Sequence, residues 1–87
     1  MIITKQILAI NLLRYLQHKT PLSDLVNWAE DAFMEGDIQG ENPDLVLEIL
    51  AKLGLADVMA FGLLWEDGYD YMQKLGYVLK IDAGLVV

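Results

Sequence analysis

Glu35, Asp37 and Gln39 stand at alternate positions and are followed by Gly40. Oxygen donors so spaced imitate the opening of an EF-hand calcium loop, whose first, third and fifth residues ligate just before an invariant glycine. The imitation stops there. The loop's closing bidentate glutamate would fall at Val46, and Pro43 interrupts the stretch between. A weak divalent-cation site of another geometry stays as the third reading of these residues, because hard cations require only clustered oxygens. No resident metal or other cofactor is expected.

The other chemistry-bearing residues are sparse. His18 is the only histidine and Ser23 the only serine. A lone imidazole builds no histidine cluster, and Ser23 falls in a first helical turn, where hydroxyls commonly bond the backbone. Carboxylate catalysis of the glycosidase kind needs two acids at a set separation with one pKa raised. Thirteen acids supply pairs by number alone and so single out none. The seven glycines are spaced as terminators of helices and turns, not gathered into a phosphate-binding loop. The chain reads as non-catalytic.

What the acids do form is a segregated charge. Asp24, Glu30, Asp31, Glu35, Asp37, Glu41, Asp44 and Glu48 lie between Thr20 and Ala51 with no lysine or arginine among them. The preceding nineteen residues carry Lys5, Arg14 and Lys19 and no acid, and the whole chain sums to −7. Asp24 and Asp44 fall in first helical turns, where an anion is favourable, so helix stability accounts for them. Asp31 and Glu35 form a like-charged i,i+4 pair, which works against the helix. Glu30, Asp31, Glu35, Asp37 and Glu41, with Trp28 as an apolar neighbour, are therefore the candidate face for a basic protein partner. The competing reading is a solvated face that confers solubility. Nucleic acid is disfavoured by the same field.

These residues must be positioned by a small scaffold. Eighty-seven residues, with no repeat, low-complexity tract or long linker, make a single domain over 1–87. A chain of this size buries roughly 60–65% of its unfolded surface, yet 55% of its residues are hydrophobic. Some apolar surface should stay outside, which points to self-association as a dimer or to a tightly held partner. The absence of cysteine excludes disulfides and thiolate sites and suits the cytoplasm. No secretory leader and no membrane span are expected, the longest uncharged apolar run being Val58 to Trp65.

The pattern predicts a mainly α fold, a small bundle of about four short helices with a C-terminal strand or β-hairpin. The first helix, about Thr4 to Gln17, carries two apolar stripes: Leu8, Leu12 and Leu16, and Ile3, Ile7 and Ile10. A surface helix normally carries one. The isoleucine stripe is thus the candidate self-association face. The second helix starts with Thr20 as N-cap and Pro21 inside it, and ends at Gly36. Its apolar face is Leu22, Leu25, Val26, Ala29, Ala32 and Phe33. Asn42-Pro43 opens the third, with Gly54 as its stop. A short turn over Asp57 to Phe61 precedes the fourth, Trp65 to Leu75, which Gly68 weakens. Tyr71 lies off its apolar face and is a candidate interface anchor. Tyr77 to Ile81 alternates as a strand, and a return over Leu85 to Val87 would make the hairpin.

In size, acidity and helicity the chain is similar to small bacterial immunity proteins, which mask basic nucleases. The likeness is one of profile and rests on no motif. The function expected is a non-catalytic acidic interaction module, immunity- or adaptor-like. The alternative is a structural homo-oligomer whose acids serve solubility only.

Overall fold

The computed structural model describes residues 1–56 and 65–78, apart from the side chain of Trp65. The described chain is mainly helical: β1 (Ile2–Ile3), α1 (Lys5–Leu16), α2 (Leu22–Glu35), β2 (Asp37–Ile38), α3 (Pro43–Gly54) and α4 (Trp65–Lys74). The turn expected over Asp57 to Phe61 lies outside these residues. So does the C-terminal strand or hairpin beyond Val78. Tyr77 and Val78 are in no regular structure.

The strand pairing that is described involves other residues. β1 and β2 run parallel, with Ile2 opposite Asp37 and Ile3 opposite Ile38. The Asp37 N–H donates to the Met1 carbonyl at 2.7 Å and the Gln39 N–H to the Ile3 carbonyl at 2.8 Å. Two-residue strands carry too little alternation to be read from sequence. Ile3 is accordingly not a member of a helical stripe. It sits in the ladder, is 1% exposed, and belongs to the core.

α1 begins at Thr4, whose hydroxyl accepts from the Ile7 N–H at 3.3 Å. It ends on His18, held in the left-handed region at φ 60. The Lys19 N–H reaches the Arg14 carbonyl and the His18 N–H the Tyr15 carbonyl, the paired bonds of a Schellman motif. Leu8, Ala9 and Leu12 are its buried residues, while Ile10 is 52% exposed.

α2 starts one residue later than its cap signal suggests. Pro21, in an extended conformation, occupies the N-cap, and Thr20 makes no capping bond. The Pro21 carbonyl takes the Asp24 and Leu25 N–H groups instead. Leu25, Val26, Ala29 and Ala32 are buried as the periodicity predicts. Phe33, assigned to the same face, is 47% exposed.

Gly36 closes α2 without a left-handed turn, at φ −74. What requires glycine there is space. A Cβ would run into the Ala32 carbonyl and come within 2.8 Å of Ile3 Cγ1.

α3 is entered from Asn42, which is left-handed at φ 53 and makes no side-chain cap bond. Gly54 is its last helical residue, not a stop beyond it, and is buried where α3 meets α2. A Cβ on Gly54 would stand 3.2 Å from Glu30 Cγ. α2 against α3 is the most extensive helix pairing described.

α4 crosses α1 at Gly68, where an added Cβ would meet Leu16 Cδ2 at 2.7 Å. Close approach thus explains a glycine that weakens the helix on its own. Left-handed Gly76 ends this segment, with the Tyr77 N–H donating to Met72 and the Gly76 N–H to Gln73. Met72 and Leu75 join the core, and Tyr71 is half-buried against it. Leu8, Leu12, Leu25, Ala29, Val46, Ile49, Leu50 and Leu53 make up the rest of the interior's main body.

Candidate functional site

A candidate binding surface is built by α2 and α3 together. The buried face of α2 is filled by alanines at Ala29 and Ala32, so α3 packs close and Leu50 and Leu53 are fully covered. One edge of this contact is left open. Phe33, Met34, Leu50, Ala51, Gly54 and Leu55 line an apolar groove of about 390 Å³, with Glu30 at its margin. Its volume is at the lower end of ligand pockets. Met34 is 82% exposed and Leu55 48%.

Met34 stands among carboxylates. At about 100° per residue, Glu30, Met34, Asp31 and Glu35 follow one another round the outer side of α2. All four are exposed. The Glu30 stem rests on Gly54, where the absence of a Cβ admits it, and so bridges the two helices beside the groove. Among the described residues, Glu30, Asp31 and Glu35 have no cationic partner. Ion pairs are formed instead by Lys5–Glu41 at 3.1 Å, Lys52–Glu48 at 3.2 Å and Lys74–Asp70 at 3.1 Å.

The five expected acids therefore lie on different supports. Glu30, Asp31 and Glu35 share α2. Asp37 is on β2, its carboxylate accepting from Gln39 Nε2 at 2.8 Å. Glu41 is in the loop before α3 and is tied to Lys5 of α1. Trp28 is half-buried and packs on the core. The isoleucines are likewise separated: Ile3 is inside, Ile7 half-buried and Ile10 outside. Ile10 borders a second apolar hollow of about 280 Å³, shared with Gln6, Ala9, Leu13, Met72 and Tyr77.

Among the described residues no group of three or more histidine, aspartate or glutamate side chains is arranged to hold a metal ion. Among the described residues no polar or charged side chain is buried. Lys74 and Tyr71, both on α4, bind their protons more tightly than usual. The Lys74 ammonium is raised by its hydrogen bond to Asp70. The Tyr71 phenol is raised chiefly by burial, with Lys52 opposing and Asp67 adding to the rise. No described helix is long and apolar enough to cross a membrane.

Sequence reasoning missed the groove itself. The signal was present in two residues: Met34, apolar on the acidic side of α2, and Leu55, apolar beyond the end of α3. Each is off the stripe of its helix, so neither is required by the core.

No protein-family model matches the chain, and comparison with curated proteins and with solved structures returns no significant similarity.

Proposed function

We propose that the chain is a non-catalytic, acidic protein-interaction module of the immunity or adaptor kind, acting in the cytoplasm on a basic protein partner. One observation carries this: Glu30, Asp31 and Glu35 stand exposed and without a described cation around Met34, on the helix that borders an open apolar groove. Acids kept only for solubility have no reason to surround an exposed hydrophobe. Acids that steer a basic partner onto an apolar contact do.

The test is retention of proteins from source-cell lysate by the immobilised wild type and by Glu30→Gln/Asp31→Asn/Glu35→Gln. The expected result is a basic protein held by the wild type, released by salt and absent from the variant's eluate. Identical eluates would reduce these acids to a solvated surface.

The alternative is a homo-oligomer joined through the α1 face. It has its own observation in half-exposed Ile10 beside the second hollow, a region without acids at Gln6, Ala9 and Leu13. That reading predicts a concentration-dependent dimer in sedimentation, dissociated by Ile10→Asp and unaffected by neutralising the α2 acids.

A further inference from the structure

We infer that the α2–α3 groove receives an amphipathic basic helix of the partner protein, with apolar side chains one turn apart seated between Phe33, Met34, Ala51 and Leu55 and lysines or arginines over Glu30, Asp31 and Glu35. This rests on the reading of the chain as an acidic interaction module and specifies how that module binds.

The groove's form selects this occupant. Its lining comes from Glu30, Phe33 and Met34 on one helix and Leu50, Ala51, Gly54 and Leu55 at and beyond the end of the other. Each flank thus offers residues about one helical turn apart, matching the i,i+3/i+4 anchors by which a helix enters a groove. The lining is apolar with a single ionisable margin at Glu30, which lacks the several placed polar groups that orient a small molecule. Exposed Met34 adds an unbranched, adaptable side chain able to close over an incoming residue. Charge decides between a foreign helix and a second copy. Two copies meeting on this face would set Glu30, Asp31 and Glu35 of each against those of the other, in a chain already at −7. A cationic helix meets complementary charge instead.

The experiment uses two dye-labelled peptides of identical leucine and lysine composition, with capped termini. In one, leucines fall at i, i+3, i+4 and i+7; in the other the order is scrambled. Binding is followed by fluorescence anisotropy at low ionic strength for the wild type, Met34→Ser, Phe33→Ser and the acid-neutralised triple variant. Circular dichroism confirms the fold of each, and Met34→Ser leaves the core untouched because its side chain lies outside. The patterned peptide is expected to bind the wild type about tenfold or more tightly than the scrambled one. Met34→Ser and Phe33→Ser remove that advantage without weakening the scrambled peptide, and the triple variant weakens both.

Equal binding of the two peptides, indifferent to Met34, would overturn the groove while leaving the acidic module standing. No binding of either would overturn both. A dimer in sedimentation that Met34→Lys dissociates would give the groove to a second copy and overturn the inference.

Discussion

Two backbone positions make opposite demands on their residues. His18 has a Cβ in a left-handed conformation, which costs about 1–2 kcal/mol relative to the right-handed one. His18→Gly removes that penalty but loosens the unfolded chain, so a net gain of about 0.5 kcal/mol is expected in urea denaturation. Gly36 is the reverse case, an ordinary φ with no room for a side chain. Gly36→Ala forces apart the α2 carboxyl end and Ile3, and a loss of about 1–3 kcal/mol is expected, as for other overpacked sites. Equal stability of the two variants would contradict both arguments. Tyr71 gives a pH dependence. Its phenol is raised above the ordinary value of about 10, so the folded state binds its proton more tightly than the unfolded state does. Stability from this group is complete below about pH 10, falls as the unfolded phenol ionises, and levels off above the folded value. Tyr71→Phe should remove that decline; denaturation profiles of the two proteins that stay parallel through alkaline pH would refute it.

At the scale of the elements, α2 carries a burden unrelated to its own stability. Asp31 and Glu35 repel at i,i+4, and Glu35 sits in the last turn with no base beside it. Glu35→Gln is expected to raise the unfolding free energy by about 0.5–1 kcal/mol at low ionic strength, with the gain shrinking as salt is added. A salt-independent effect would locate the cause elsewhere. The helices themselves were legible: Pro21, Gly36, Pro43 and Gly76 bound them closely, and Leu25, Val26, Ala29 and Ala32 are interior as their spacing requires. The caps were not. Thr20 and Asn42 have the right side chains for N-caps, but Pro21 and a left-handed turn take over the geometry. Glycines were read as terminators because their spacing fits, whereas Gly54 and Gly68 serve helix contacts visible only once the partner helix is in place. The acids of the site were found by composition. The groove beside them was not, because periodicity places Phe33 on the buried face and cannot say that α3 stops short of covering it.

Over the whole molecule, charge and apolar surface are distributed by helix. α1 brings Lys5 to Glu41, and this long-range ion pair joins the basic first segment to the acidic one. Glu30, Asp31 and Glu35, which have no cation among the described residues, point from α2 beside the apolar groove of the α2–α3 pair. The small ladder has a different consequence, in time instead of space. Ile2 and Asp37 are 35 positions apart, and closing a loop of that length costs about 3 kcal/mol in chain entropy. The two ladder bonds, at about 0.5–1.5 kcal/mol net each, at best offset that cost, so the pairing relies on α1, α2 and α3 having docked. The ladder is therefore expected to assemble after these helices dock and to open before the middle of α3 does. Native-state hydrogen exchange should show the Asp37 and Gln39 amides released through a local opening, ahead of those in the middle of α3. Because Ile3 is buried in the core and lies against Gly36, each such opening would draw it out of the interior and leave a vacancy there, a brief loosening of the α2 carboxyl end that comes from the ladder alone.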